Sequence, residues 1–366
     1  MKSGHKVLFV TIVPSPYQRD LFGALYTRKD VDLSVCYMGA KSPENPWPEK
    51  PLRPFERIMP GFTFTLDGAR AHLNWGLPNV SEFDFVVLSG FTSVTGQWLM
   101  RRRLRGRRWL FWGEILNRNS GLKGFVQEGL AAPISRASGI VGIGRAAEQD
   151  YRQRFPNIPH FCIPYHCDLS PFLAIHHCRE AGQPLTFFFC GQMIQRKGID
   201  LLLLGFDRLI ARGFDARLLL VGREAELPKF MEVVSPAARS RIRYEGFQAP
   251  ERLPEYFARS DVFVLPSRHD GWGVVINQAL GAGLPIITSN AVGAGLDLVE
   301  SGYNGLRVPP NDADALYRAM EMVASNSAVV CEWGERSRKK ARDITPEAGA
   351  KKWVQVFEGL ERSPKH

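Results

Sequence analysis

A chain of 366 residues with 45% hydrophobic and 23% charged side chains is globular, which excludes the disordered and fibrous classes. It is too long for one ordinary core and fits two domains of about 150 to 180 residues each. Lysine and arginine total 47 against 37 acidic residues, and the resulting charge of +10 asks for an anionic partner or substrate.

Residues 6–13 read as a buried strand that stops at Pro14-Ser15-Pro16. That run is short for a secretory leader, and no run approaches the roughly 18 to 20 apolar residues that span a bilayer, so a cytoplasmic protein is expected. A helix over 19–27 and a strand over 31–37 follow, and the Pro/Gly-rich stretch 41–60 reads as a loop over the first domain. Further strands are predicted over 83–88, 109–112, 139–143 and 160–163, with a helix over 146–154. Between them, Arg101, Arg102, Arg103, Arg105, Arg107 and Arg108 follow the apolar Trp98-Leu99-Met100. Nucleic acid, an anionic membrane surface, an anionic substrate or a plain solvated helix face each explains such a cluster.

The rhythm restarts after a loop over 164–182. Strands are predicted over 184–190, 217–221, 262–265 and 285–288, and helices over 199–211, 253–259, 277–282 and 313–324. A second basic run spans 336–342. The last helix, 346–360, carries Trp353, Val356, Phe357 and Leu360 at helical spacing, a stripe that packs on a core. Continuous apolar strands are covered on both faces, as in a parallel sheet. The pattern predicts two doubly wound α/β halves that meet near 166–184 and bind ligands at the carboxyl ends of their strands.

The six cysteines form no C-x-x-C pair. Cys162, His166, Cys167, His176, His177 and Cys178 lie close in sequence but match no zinc spacing, so reduced structural thiols and no metal site are expected. Asp312-Ala313-Asp314 precedes a helix, where capping is its natural role.

Two segments carry chemistry. In Phe189-Cys190-Gly191-Gln192-Met193-Ile194-Gln195-Arg196-Lys197-Gly198, a strand runs through a glycine turn to a lysine at a helix start. Glycine admits close approach of a phosphate, and the lysine adds a full charge to the helix's partial one. In Ser267-Arg268-His269-Asp270-Gly271-Trp272-Gly273-Val274-Val275, a strand ends in an acidic, doubly glycine loop that opens a second helix. Amides near Gly273, Val274 and Val275 are then available to an anion. Asp270 suits sugar hydroxyls better than phosphate, and Gln278, inside the helix, can hydrogen-bond a ribose diol. Each loop alone is also explained as an ordinary capped strand-turn-helix.

As a spaced pair, these segments resemble the donor-binding half of the family-4 retaining glycosyltransferases, the bacterial group-1 type. The resemblance covers nearly the whole chain. It extends to Ser15-Pro16-Tyr17, Leu88-Ser89-Gly90, Phe111-Trp112-Gly113-Glu114 and Ile163-Pro164-Tyr165 in the first half, and to Val221-Gly222 and Tyr244-Glu245-Gly246-Phe247 in the second. It implies the GT-B fold: two Rossmann-like domains facing across a cleft, with the C-terminal helix packing back on the first. Residues 1–170 would bind the acceptor, 171–345 the nucleotide-sugar, and 346–366 would return to the first domain.

By the same resemblance Lys197 binds the donor diphosphate, Asp270 matches the first acid of a Glu-x7-Glu motif that contacts sugar hydroxyls, and Gln278 stands at the second acid, which holds the ribose. Gly191, Gln192, Arg196, Gly222, Phe247, Gly271, Trp272, Gly273, Val274 and Val275 complete the implied donor site. Glu114, at a strand end, is the candidate for touching donor sugar or acceptor. Two departures stand out. Gln192 replaces a frequent arginine, for which Arg196 is near enough to substitute, and Gln278 keeps hydrogen bonding but loses charge.

The implied activity is metal-independent, retaining transfer of a hexosyl or N-acetylhexosaminyl group from a UDP- or GDP-linked sugar. The acceptor would be a glycan, lipid-linked, in bacterial surface polysaccharide synthesis, with the arginine run on the inner face of the membrane. No nucleic acid is expected as a partner. The contrasting readings are a degenerate, non-catalytic nucleotide-sugar binder, a basic nucleic-acid or membrane-surface binder, and a sugar-nucleotide epimerase on the same fold.

Overall fold

The computed structural model describes residues 4–362 apart from 42–46, 48, 67–68, 117–119, 177–181 and 327. The chain divides into two compact units, one of Met1–Cys167 with Pro346–His366 and one of Asp168–Thr345.

The first unit is built on strands β1 (His5–Thr11), β2 (Val31–Tyr37), β3 (Glu56–Ile58), β6 (Phe85–Leu88), β7 (Trp109–Gly113), β8 (Gly139–Gly142) and β9 (His160–Cys162), with a separate antiparallel hairpin of β4 (Gly61–Leu66) and β5 (Ala69–Asn74). The seven strands form a parallel sheet in the order β3-β2-β1-β6-β7-β8-β9. Val7, Leu8, Phe9 and Val10 are all buried, as a strand covered on both faces requires. The first helix, Pro16–Tyr26, starts three residues before the expected position, because Pro16 needs no backbone partner in a first turn.

The C-terminal helix, Pro346–Arg362, belongs to this unit. Its Trp353 ring lies 5.1 Å from Phe9 and 5.5 Å from Trp112, and Phe357 stacks on Phe85 at 5.0 Å. The helix therefore covers a face of the sheet with the stripe that its periodicity marks.

The stretch 41–60, expected as a loop, contains β3. That strand is anchored by an ion pair and not by an apolar run. The buried Glu56 carboxylate accepts from Arg19 at 2.9 and 2.6 Å, from the Tyr37 hydroxyl at 2.8 Å and from the Arg53 amide at 2.8 Å. Burial alone would raise the Glu56 carboxyl; these donors outweigh it and hold it below its ordinary value. Apolar patterning has no view of a strand held this way.

The second unit carries β10 (Leu185–Cys190), β11 (Ala216–Val221), β12 (Ile242–Tyr244), β13 (Val262–Leu265), β14 (Ile286–Ser289) and β15 (Gly305–Val308) in the parallel order β12-β11-β10-β13-β14-β15. Phe187, Phe188 and Phe189 at its centre are fully buried. Sheet growth runs from β10 outward through β11 and β12, then returns to the other side of β10 at β13. The strand order therefore reverses between β10 and β13, the place where open α/β sheets receive ligands.

Candidate active site

The loops leaving β10 and β13 lie side by side at that reversal. After β10 the chain passes through the short turn Gln195–Lys197 and enters the helix Ile199–Ala211 through Gly198. Gly198 has φ of +74°, and a Cβ there would stand 2.2 Å from the Pro266 carbonyl oxygen, so only glycine lets the two loops meet. Arg268 fastens them further. Its amide donates to the Arg196 carbonyl at 2.8 Å, and its guanidinium to the Gln195 carbonyl at 2.5 Å and to both Asp200 carboxylate oxygens at 2.7 Å. The residue types alone gave no sign of this staple, since its partners lie on the other loop.

Lys197 Nζ donates to Asp270 Oδ2 at 2.5 Å. The sequence reading gives these two residues separate tasks; the structure joins them in one ion pair. Asp270 is 8% exposed, and its backbone is pinned by its own amide on the Ala291 carbonyl at 3.0 Å and by the Gly293 amide on its carbonyl at 3.2 Å. Arg196 donates to the His269 carbonyl at 2.9 Å, which holds its guanidinium over the same loop. His269 itself escaped the sequence reading. Burial first, then Arg196 and Lys197, push its imidazole below the ordinary value, against the pull of Asp270, so it is neutral at pH 7.

Downstream, Gly273 and Val274 lead into the helix Val275–Ala282. Among the described residues, the amides of Gly273, Val274 and Val275 donate no hydrogen bond, which leaves this helix start open to an anion. Trp272, which the resemblance includes in the donor site, turns its side chain inward. It is buried, with its indole N–H on Asn277 Oδ1 at 3.0 Å, so it wedges the loop onto the helix between the half-buried Gly271 and Gly273. Gln278 is half-buried on the same helix.

On the β11 side, Gly222 has φ of +140°, and a Cβ would fall 1.8 Å from the Gly191 carbonyl oxygen. The Tyr244 hydroxyl donates to the Gly222 carbonyl at 2.9 Å, and Phe247 stands exposed on the following loop. Gln192 is half-buried beside Gly191. Burial pushes the Cys190 thiol up to about 12, despite Lys197.

Glu114 lies in the first unit, just past β7. Its backbone carbonyl accepts from the Tyr151 hydroxyl at 3.0 Å and its carboxylate from the Tyr165 hydroxyl at 3.0 Å. The Tyr165 ring packs 4.6 Å from Tyr17, so three segments that the family resemblance singled out converge at the carboxyl end of that sheet. Burial first, then the Glu114 charge, raise the Tyr165 hydroxyl well above its ordinary value, which keeps it a proton donor to the carboxylate.

The second basic run is structural in part. Arg338 donates to the Leu173 and Ala282 carbonyls at 2.9 and 3.1 Å and also to the Ile175 carbonyl, inside the second unit. Of the clustered cysteines and histidines, His177 and Cys178 lie outside the described residues; His166 is buried against the Pro164 carbonyl at 2.7 Å. A polar hollow lined by Gln183, Asp215, Arg241 and Asp261 opens at the amino ends of β10 and β11, away from both chemical loops.

Residues 184–326 match the family model described as Glycosyl transferases group 1. Among curated proteins, the O-antigen chain mannosyltransferase B of Escherichia coli is 31% identical over 183 residues, which is 49% of this chain and 44% of that protein. The lipopolysaccharide core biosynthesis glycosyltransferase LpsE of Rhizobium meliloti is 28% identical over 150 residues, 41% of this chain and 42% of that one. The chain spans less than half the length of the curated relatives it matches. Among solved structures, a sucrose-phosphate synthase from Thermosynechococcus elongatus superposes with a TM-score of 0.72 at 18% identity, covering 98% of this chain and 99% of that one. HepE of Anabaena, solved in complex with UDP, gives 0.71 at 14% identity, covering 97% and 100%. These likenesses give the fold, which is GT-B.

Proposed function

We propose, from a second unit that belongs to the group 1 glycosyltransferases, that this protein is a retaining glycosyltransferase that moves a sugar from a nucleotide-sugar to a glycan acceptor. The observation that carries the reading is the Lys197–Asp270 pair at the strand-order reversal, beside the open helix start at Gly273 to Val275. The bond from the sugar's C1 to the diphosphate oxygen breaks, and a bond from C1 to the acceptor oxygen forms on the same face. The acceptor's proton passes to the departing phosphate oxygen. Lys197 and the helix amides stabilise the negative charge that grows on the leaving diphosphate, which is the work a metal ion does in other transferases. Asp270 accepts from donor sugar hydroxyls, Gln278 holds the ribose, Phe247 offers its ring to the base, and Glu114 meets the acceptor or the sugar. Relatives that act on O-antigen and lipopolysaccharide core support a role in surface polysaccharide synthesis on a lipid-linked acceptor, at the inner face of the membrane.

A panel of UDP- and GDP-sugars tests this by thermal stabilisation and by release of free nucleotide. At a hundredfold excess over Kd the matching donor stabilises the intact protein by about 2.7 kcal/mol, and Lys197→Ala and Asp270→Ala lose that gain. If no donor on the panel stabilises the protein, the proposal fails. Gln278 favours a second reading, a non-catalytic binder, which gives stabilisation with no nucleotide release even with Gln278→Glu in place.

A further inference from the structure

The helix Gly121–Ala131 carries large apolar side chains on its outside. Leu122 is 79% exposed, Phe125 78% and Val126 51%. Their i, i+3, i+4 spacing sets them on one side, as a contiguous patch and not as scattered surface residues.

A second feature adjoins it. The chain from Leu99 to Arg103 makes one wide turn, closed by the Leu104 amide on the Leu99 carbonyl at 3.0 Å. Leu99, Met100 and Leu104 point into the core, which leaves Arg101, Arg102, Arg103, Arg105 and Arg107 exposed. The turn and the helix are tied together: Arg101 donates to the Gly129 carbonyl at 3.0 Å, and Gln97 to the Leu130 carbonyl at 2.8 Å. The arginines thus gather at the carboxyl end of the apolar helix, where cations are also favoured by its dipole. Trp98, 43% exposed, lies under the Arg103 guanidinium at 5.5 Å.

Of the apolar Trp98-Leu99-Met100 that precede the arginines, Leu99 and Met100 do not share their surface. Both are buried. Leu122, Phe125 and Val126 take that place, from a helix that follows the arginines in the chain.

We infer that this face is a docking surface for an anionic lipid bilayer. Apolar side chains that enter the headgroup boundary, flanked by arginines that meet lipid phosphates, match that partner on both counts. A second copy meeting the same face would set arginine against arginine, and nucleic acid offers nothing to Leu122 and Phe125. The surface adds to the transferase reading without depending on it, because lipid binding is measured with neither donor nor turnover.

The test is sedimentation of the full chain with phosphatidylcholine vesicles, with and without phosphatidylglycerol, at low and high salt. The chain partitions onto phosphatidylglycerol vesicles at low salt and is released by high salt. Each arginine replaced by serine at 102, 105 or 107 weakens binding about fivefold. Leu122→Ser with Phe125→Ser weakens it at least tenfold and, because both side chains are exposed, leaves the melting temperature unchanged. No partition at low salt overturns the proposal. So does partition that ignores the Leu122 and Phe125 changes, or a dimer in solution that those changes dissolve.

Discussion

Lys197→Ala is expected to lower kcat/KM for the matching nucleotide-sugar by about two to three orders of magnitude, the usual loss when one preorganised charge at a developing anion is removed. The fall should appear in kcat as well as in KM, because the charge on the diphosphate grows as the sugar leaves. The geometry adds a second expectation. Asp270 lies 8% exposed against Lys197, so the variant leaves a largely buried carboxylate without its partner, at about 1–3 kcal/mol of stability. Asp270→Asn in the same background relieves that cost while keeping hydrogen bonding to the sugar and losing the charge. The two single changes should therefore not add, in stability or in rate. Unchanged kcat/KM in Lys197→Ala would remove the lysine from the site.

Gly198→Ala is expected to destabilise the second unit by about 3 kcal/mol or more, from left-handed strain of about 1–2 kcal/mol together with a collision that neither backbone can relieve. The new methyl would stand 2.2 Å from the Pro266 carbonyl oxygen, and Pro266 opens the loop that carries Asp270. Gly213→Ala is the control. Gly213 has a similar φ of +85° but open space around it, so it shows the strain alone, about 1–2 kcal/mol. A shift in Tm for Gly198→Ala no larger than for Gly213→Ala would mean that the two loops do not bear on each other. Donor-induced stabilisation should vanish in Gly198→Ala even at temperatures where the protein stays folded.

Most of the sheets was legible because their strands are apolar runs between turns. β2, β13 and the helix Ile199–Ala211 fall on the residues that the pattern marks. β3 escaped because the Glu56 ion pair anchors it. The hairpin of β4 and β5 escaped because Phe62, Phe64 and Leu73 face outward and mimic no core strand. Lys197 and Asp270 were legible as types in loops, but their contact spans 73 positions and only the fold creates it. The Arg268 staple to Asp200 is of the same kind. Trp272 shows the opposite limit. An aromatic residue in a ligand loop reads as a contact, and only burial against Asn277 reveals a wedge.

A nucleotide diphosphate is expected to bind where Lys197 meets Asp270. A crystal structure with a bound nucleotide-sugar tests it most directly. The β-phosphate is expected within hydrogen-bond distance of Lys197 Nζ and of the amides of the Gly273 to Val275 turn, with sugar hydroxyls on Asp270. A donor bound elsewhere, with the Lys197–Asp270 pair untouched, would contradict it.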